Sequence, residues 1–228
     1  MDALVTEEGP GKIRSICTTL REKYGNLQDL GNKQDPLDEL IFILLTVRTD
    51  YRQYVPLWNN FTNHFRNWNE VLHSREEEVS VAIISGGLQR QKAQRIRESL
   101  AAIERLTGDL DLDFLRYFTD EEAEKFLLSL PGVGKKVAKC VMMYSLHRPV
   151  LPIDSNIIRV WGRIGLDGNN TTERMILNSL ESKIPEGERY SFHTGLVGLG
   201  REICLRTKPK CGICPIVEYC VYGRSVVS

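Results

Sequence analysis

The sequence predicts an all-α fold. Apolar side chains recur at helical spacing along almost all of its 228 residues, whereas no segment shows four or more clean alternations of apolar and polar residues bounded by turn residues. The composition, 42% hydrophobic and 26% charged, is that of an ordinary globular protein. A chain of this length can form one large domain or two small ones without disulfide bonds.

Helix-forming segments follow one another through the first half of the chain. Lys12–Tyr24 places its apolar residues on one stripe and stops at Gly25, which suits the left-handed conformation of a helix end. Asp35 and Pro36 are typical of a helix start, and Leu40–Val47 is apolar on every side, which indicates a central buried helix. The helical pattern continues through Tyr51–Phe65, Val79–Ile84 and Gln91–Leu106, the last with Leu106 on its buried face.

The second half begins with Thr119–Glu122, which resembles a capping box and opens a helix that extends to Leu130. A turn with two glycines, Pro131–Gly134, separates it from the next helix. The sequence contains no repeat, no low-complexity tract and no long linker, so two domains would have to pack intimately. The remaining predicted helices are Lys135–His147, Ser155–Ile164, Thr172–Ile184 and Glu188–Cys204.

The formal net charge is zero, which taken alone argues against a nucleic-acid partner. The distribution of charge points the other way, because residues 131–163 hold six basic residues against one acidic residue. Gln89–Arg97 adds four basic residues, although a solvated helix face would explain that run equally well. No signal peptide begins the chain and no apolar stretch reaches the roughly 20 residues of a membrane span, so we expect a soluble cytoplasmic protein.

The turn Leu-Pro-Gly-Val-Gly-Lys-Lys, residues 130–136, lies between two amphipathic helices. Gly132 and Gly134 lack a Cβ atom, so the turn can be tight and its backbone N–H groups can approach a ligand closely. The helix that follows directs its free N–H groups toward the turn, which makes a site for an anion such as a DNA phosphate. By spacing alone, a simple connection between two helices is an equal alternative.

Chain geometry can bring Lys136 and Asp154 together. The helix Lys135–His147 carries the chain about 20 Å away, and the extended segment Pro149–Ile153 can return it by about 17 Å. Asp154 also begins a run of residues that cap helices, so it is expected to cap the next helix. The two roles of Asp154 are compatible.

Lys136 is a candidate nucleophile. Its position in a first helical turn beside Lys135 exposes it to a positive dipole end and a like charge, and both lower the pKa of an amine. A neutral lysine amine can attack an electrophilic sugar carbon and form a Schiff base. The alternative for any single lysine is an exposed contact to phosphate.

Four of the six cysteines are clustered as C-x6-C-x2-C-x5-C: Cys204, Cys211, Cys214 and Cys220. Four thiolates at this spacing predict a metal centre, and the spacing alone does not separate zinc from an iron–sulfur cluster. Cys17 and Cys140 stand alone inside helical patterns and are expected in the core. Basic residues around the four cysteines make the loop a plausible phosphate-binding surface: Arg201, Arg206, Lys208, Lys210 and Arg224.

Taken together, the glycine turn, an aspartate 18 residues after Lys136 and the four-cysteine tail resemble the helix-hairpin-helix (HhH-GPD) DNA glycosylases, specifically their endonuclease III branch. The resemblance covers Asp35 to Cys220. It implies a six-helix domain, 36–147, with the helix-hairpin-helix at about 120–147, and a discontinuous cluster domain, 1–35 plus 148–228. It also implies a [4Fe–4S] cluster, and a DNA-binding cleft between the domains with Lys136 and Asp154 at its mouth.

The resemblance implies a monomeric, nucleoid-associated enzyme that flips a damaged or modified pyrimidine out of double-stranded DNA. Lys136 would displace the base and allow strand cleavage through the Schiff base, with Asp154 activating the lysine or stabilising charge on the sugar. Leu88 matches the position of a wedge residue that fills the gap in the base stack. The DNA-binding residues would be Arg48, Leu88, Gly132, Gly134 and Lys135.

Two departures from the endonuclease III pattern bear on the substrate. Arg48 stands where that branch has a glutamine that probes the opposite base, and Asn156 stands where its bacterial members usually have histidine. The stretch from Lys139 to Asn156 is also similar to the plant DEMETER-type 5-methylcytosine glycosylases. MutY-type adenine glycosylases share the cysteine tail but lack a lysine at position 136.

Other functions remain open at this point. A glycosylase for mismatched thymine or 5-methylcytosine is the alternative within the same class. A non-catalytic iron–sulfur DNA-binding protein and an electron-transfer module are alternatives from other classes. The presence of both Lys136 and Asp154 counts against a non-catalytic DNA-binding protein. An electron-transfer module would have no reason to contain the glycine turn.

Overall fold

The computed structural model describes residues 9–25, 31–168 and 172–227. Residues 1–8, 26–30, 169–171 and 228, all within the predicted cluster domain, lie outside the described residues. In the described part of the chain the regular secondary structure is entirely helical, with twelve α-helices and no strand, so the predicted all-α fold is confirmed. Among these residues, none of the helices combines the length and the apolar character that crossing a bilayer requires.

The helices divide between two compact units, one comprising Gln28–Arg148 and the other Met1–Leu27 with Pro149–Ser228. The central unit contains α2 (Pro36–Thr46), α3 (Tyr54–His64), α4 (Trp68–His73), α5 (Glu76–Ala82), α6 (Gln89–Thr107), α7 (Asp120–Ser129) and α8 (Lys135–Tyr144). The discontinuous unit contains α1 (Gly9–Tyr24), α9 (Ser155–Ile164), α10 (Glu173–Lys183), α11 (Arg189–Glu202) and α12 (Val221–Val227).

The core of the central unit is built on α2, as its uniformly apolar sequence predicts. The side chain of Asp35 accepts a hydrogen bond from the backbone N–H of Asp38 at 2.8 Å, and Pro36 occupies the first turn. The residues from Leu40 to Leu45 are all at most 5% exposed. Helix α2 packs against α8, α6 and α3, and its burial on all sides anchors the helices that carry the site.

Helix α8 ends at Tyr144, earlier than the predicted His147. The backbone N–H of Leu146 bonds to the carbonyl of Val141, and that of Arg148 bonds to Met142 at 2.8 Å, with His147 at φ +54°. The left-handed conformation of His147 and the hydrogen bonds from residues 146 and 148 satisfy carbonyl groups at the end of α8, and so they terminate the helix. Helix α7 begins as predicted, because Thr119 and Glu122 form a reciprocal capping box.

The prediction that Leu106 faces the core is wrong, since its side chain is 53% exposed. The last turn of α6, from residue 104 onward, is exposed on every side. Helical periodicity fixes the face of a residue but not the length over which that face is covered.

The discontinuous unit is centred on α11, which packs against α1 and α9. Gly195 allows the close approach of α1, since a Cβ at that position would lie 2.8 Å from the Cβ of Leu20. Helix α1 ends as predicted at Gly25, which has φ +56° and donates its N–H to Arg21 at 2.7 Å. Cys17 is fully buried in this unit and Cys140 is 1% exposed in the other, so both are core residues as expected.

Candidate functional site

The glycine turn forms a hairpin between α7 and α8. Gly132 has φ +76°, and a Cβ there would lie 3.0 Å from the side chain of Arg95. Gly134 caps α8 with an extended backbone and no side-chain capping bond, and nothing lies within 4 Å of where its Cβ would be. The carbonyl of Pro131 accepts a 2.6 Å hydrogen bond from the hydroxyl of Ser99, which braces the hairpin from α6. The hairpin is therefore fixed underneath and open at Gly134 and the exposed Lys135.

Lys136 lies in the first turn of α8 and is half-buried. It interacts electrostatically with Glu39 of α2, which is 0% exposed. The carboxylate of Glu39 accepts hydrogen bonds from the side chain of Asn32 at 2.5 Å and the backbone N–H of Lys33 at 2.6 Å. Burial nevertheless raises the pKa of Glu39 to about 8. The sequence analysis did not single out Glu39, because an acidic residue one turn into a helix resembles ordinary helix-dipole compensation.

Asp154 caps α9, as its sequence context predicts. Its Oδ1 atom accepts from the backbone N–H groups of Asn156 at 2.8 Å and Ile157 at 2.9 Å. The side chain is half-buried. Asp154 belongs to the discontinuous unit and Lys136 to the central unit, and their pairing stays a prediction from chain geometry.

A chain of hydrogen bonds holds the second oxygen of Asp154. The side-chain amide of Asn156 donates to its Oδ2 at 3.0 Å, and the Oδ1 of Asn156 accepts from Arg159 at 2.9 Å. Arg159 in turn donates to the carbonyls of Gly200 at 2.8 Å and Cys204 at 3.1 Å. Asn156, noted in the sequence as a departure from the usual histidine, therefore orients the carboxylate and connects it to the cysteine loop.

Arg48 and Leu88, the predicted DNA-inserting residues, both have left-handed backbones, with φ +54° and +51°. Arg48 lies in the turn after α2 and Leu88 is the N-cap residue of α6. Both side chains are exposed, Leu88 by 41%. Positive φ is uncommon for residues other than glycine and recurs at sites where the surrounding structure holds a side chain out for function.

The basic run Gln89–Arg97 is not the uniformly solvated face that its composition allows. Arg90 and Arg95 are exposed, but Lys92 is only 3% exposed. Its Nζ donates hydrogen bonds to the hydroxyl of Thr49 at 2.6 Å and the carbonyl of Gly86 at 2.7 Å. Burial lowers the pKa of Lys92 to about 8.

The four clustered cysteines lie in one loop between α11 and α12. Cys211 and Cys220 are each 9% exposed, and Cys204 and Cys214 are half-buried. Burial raises the pKa of Cys214, and the three other cysteines of the loop raise it further. The thiol of Cys214 thus interacts electrostatically with those of all three other cysteines of the loop.

Two of these sulfur atoms accept hydrogen bonds. Arg163 donates to the Sγ of Cys204 at 3.3 Å, and the backbone N–H of Gly223 donates to the Sγ of Cys220 at 3.2 Å. Donors and a guanidinium charge of this kind stabilise thiolates. In the described part of the chain, no three His, Cys, Asp or Glu side chains are grouped to hold one metal ion. An iron–sulfur cluster requires no such group, because its four thiolates bind different iron atoms. The donor set and its surroundings fit an iron–sulfur cluster.

Comparison with known proteins supports an iron–sulfur centre in the cysteine loop and similarity to DNA glycosylases. Residues 204–220 match the family model described as the iron-sulfur binding domain of endonuclease III. DNA glycosylase/AP lyase ROS1 of Arabidopsis thaliana is 28% identical over 176 residues, covering 70% of this chain and 13% of that protein. Thymine-DNA glycosylase of Aeropyrum pernix is 28% identical over 222 residues, covering 93% of this chain and 96% of that protein.

Among solved structures, a trapped covalent intermediate of endonuclease III with DNA matches with a TM-score of 0.82 at 23% identity, covering 96% of this chain and 99% of that one. This likeness shows the endonuclease III fold. The chain spans between 9% and 17% of the length of six plant relatives that it matches, ROS1 among them. The chain thus has the endonuclease III fold, is similar along nearly its full length to a thymine-DNA glycosylase, and matches the iron-sulfur binding domain of endonuclease III at residues 204–220.

Proposed function

We propose that this chain is a DNA glycosylase with AP-lyase activity that removes damaged or modified pyrimidines from double-stranded DNA, acting as a monomer. The observation that carries the proposal is the location of Lys136, in the first turn of α8 directly behind the open hairpin of Gly132 and Gly134. A phosphate bound at the hairpin would bring the DNA backbone to the lysine. The names of the relatives, a DNA glycosylase/AP lyase and a thymine-DNA glycosylase, support the same activity.

In the proposed reaction, the target nucleotide leaves the base stack. The Lys136 amine forms a bond to C1′ of the sugar as the C1′–N bond to the base breaks, and the base departs with a proton. Opening of the sugar ring gives a Schiff base, and loss of a proton from C2′ then expels the 3′ phosphate. Asp154, with its Oδ2 oriented by Asn156, would accept a proton from the lysine or stabilise positive charge on the sugar.

We propose a [4Fe–4S] cluster bound by Cys204, Cys211, Cys214 and Cys220. When bound, the cluster would supply the covalent connection that holds the loop in one conformation. The basic side chains around the loop would then form a preorganised surface for DNA phosphates. Arg163 and Gly223 supply hydrogen bonds to two of the four sulfur atoms.

A second candidate substrate is mismatched thymine or 5-methylcytosine. The near full-length similarity to the thymine-DNA glycosylase of Aeropyrum pernix favours it. The exposed Arg48, in place of a glutamine, also argues that the opposite base is examined differently from the endonuclease III branch. Arg is well suited to a bidentate contact with guanine, the base opposite thymine in a G·T mismatch.

A panel of duplex oligonucleotides tests the function and separates the two substrates. Each duplex carries one thymine glycol, one G·T mismatch, one 5-methylcytosine or one abasic site, and an undamaged duplex is the control. We expect base release from at least one modified duplex, incision of the abasic duplex and no reaction with the control. Failure to release any base and to incise the abasic site would contradict the proposed function.

A further inference from the structure

A buried contact joins the two turns that carry Arg48 and Leu88. The Nζ atom of Lys92 donates to the Thr49 hydroxyl at 2.6 Å and to the Gly86 carbonyl at 2.7 Å. The Thr49 hydroxyl itself donates to the same Gly86 carbonyl at 2.8 Å. Lys92, Thr49 and Gly86 therefore form a closed triangle of hydrogen bonds. Thr49 directly follows Arg48, and Gly86 is two residues before Leu88.

The packing around this triangle leaves little freedom on the Gly86 side. A Cβ at Gly86 would lie 2.7 Å from a methyl carbon of Leu57 and 3.2 Å from the Nζ of Lys92. Gly86 is therefore enclosed by α3 and α6, even though its φ is not positive. Gly87, with φ +66°, then turns the chain outward so that Leu88 is exposed.

Keeping a lysine in this position is costly for the fold. Its two described acceptors are neutral oxygens, which offset only part of the cost of removing an ammonium group from water. Burial lowers the pKa of Lys92 to about 8, in agreement with this cost. An apolar side chain of similar length would fill the same space without desolvating an amine, so the interaction is expected to serve a purpose beyond stability.

We propose that Lys92 is a positioning residue that fixes the Arg48 turn against the Leu88 turn, so that both side chains enter the DNA stack together. This inference rests on the proposed function. Each turn contains one residue with an uncommon left-handed backbone, Arg48 in one turn and Leu88 in the other, and the surrounding structure must stabilise that conformation. The Lys92 amine bonds to both turns at once and reinforces the direct hydrogen bond from Thr49 to Gly86.

Lys92→Met keeps the length and the apolar stem of the side chain and removes the hydrogen bonds. We expect its single-turnover rate of base release to fall about tenfold on a fully paired duplex, where the gap in the stack must be filled. The loss should be under about twofold when the target lies opposite an abasic nucleotide, because unpairing then costs little. Arg105→Met, which removes an exposed charge near the far end of the same helix, is the matched control and should leave both rates near those of the parent.

A double-mutant cycle separates positioning from general stabilisation. If Lys92 acts through Leu88, adding Lys92→Met to Leu88→Ala should lower the paired-duplex rate little further than Leu88→Ala alone. Thr49→Val should reproduce the substrate-dependent loss from the other side of the contact, and Thr49→Ser should retain more of the rate than Thr49→Val. If Lys92→Met does not fold, Thr49→Val tests the same contact in its place.

Amide hydrogen exchange tests the contact without catalysis. In Lys92→Met, exchange should rise together in residues 46–50 and 84–90, and exchange elsewhere should match the parent. Equal losses on both DNA substrates, additive effects in the cycle, or unchanged exchange in the Arg48 turn would each overturn the inference. A parent protein that processes no substrate would instead overturn the proposed function, while the exchange experiment still decides whether Lys92 holds the two turns.

Discussion

At the scale of single residues, Lys136 distinguishes an enzyme from a DNA-binding protein. Lys136→Gln removes the amine, so we expect loss of strand cleavage and of the adduct that borohydride traps on abasic DNA. Affinity for duplex DNA should stay within about tenfold, roughly 1.4 kcal/mol, because the hairpin proposed to bind phosphate is unchanged in this variant. Gel analysis of trapped adducts and fluorescence anisotropy measure the two effects.

The neighbouring lysine is the control for that experiment. Lys135 is exposed at the same helix start, and Lys135→Gln should trap DNA while binding more weakly and with a shallower dependence on salt. Trapping by Lys136→Gln at the level of the parent would mean that another residue is the nucleophile.

Glu39 should make the stability of the protein depend on pH. Its pKa is about 8 in the folded chain, against an ordinary value of 4.5, so the folded state binds the extra proton between these two pH values. The stability that this proton contributes is fully present below pH 4.5 and is lost as the pH rises through about 8. We expect the melting temperature to fall over this range in the parent, and to fall less steeply in Glu39→Gln.

Glu39→Gln is also expected to lower the melting temperature at every pH, because one of the two donors to Glu39 would then face an amide N–H. The informative quantity is therefore the difference in slope, measured by thermal melting from pH 5 to pH 8. Parallel profiles for the two proteins would show that Glu39 does not titrate in this range.

At the scale of elements, the hairpin predicts that replacing Gly132 lowers stability and that replacing Gly134 does not. Gly132→Ala should lower the free energy of unfolding by about 1 to 2 kcal/mol, since an alanine resists positive φ and its methyl group would contact Arg95. Gly134→Ala should leave the melting temperature close to that of the parent, because its backbone is extended and the space beside it is open.

The same pair tests phosphate binding. A methyl group at Gly134 would stand where a phosphate must approach the backbone N–H groups, so Gly134→Ala should weaken duplex affinity while the fold is retained. Thermal melting and anisotropy on the same samples compare the two variants. Normal DNA affinity in a folded Gly134→Ala protein would exclude the hairpin as the anion site.

At the scale of the whole molecule, the cluster loop should stabilise only the unit that contains it. We expect the purified protein to be brown, with about four irons per chain. Cys211→Ser should lose colour and soluble yield or DNA affinity, and hydrogen exchange should rise within residues 149–227 more than in α2 to α8. Residual cleavage by any folded fraction should continue, because Lys136 is unaffected.

Cys140→Ala is the matched control, because Cys140 is a buried core cysteine outside the loop. This variant should keep its colour and its iron. A colourless parent that holds one zinc ion would contradict the cluster. Normal DNA affinity in a cluster-free Cys211→Ser protein would remove the loop from the DNA-binding surface.

Local sequence patterns predicted much of the fold and several parts of the site. Helix starts at Asp35, Thr119 and Asp154 are capped as expected, because a capping bond joins residues only two or three positions apart. The hairpin glycines and the four cysteines are recognisable for the same reason, since spacing along the chain defines each motif. The helices α4 and α12 were missed because each is too short to show a clear period.

The amino-acid sequence is sufficient to predict the all-α class, the helix boundaries that depend on caps, and the residues available for chemistry. Which of those residues are buried, and what they contact, depends on the packing of the folded chain. Lys92 belongs to a basic run that looks solvated, yet it binds a hydroxyl 43 positions away along the chain. Helical periodicity did not indicate that Glu39 is buried, and it wrongly placed Leu106, which is exposed, on the buried face. Burial depends on which distant segments cover a residue, and helical periodicity carries no information about those segments.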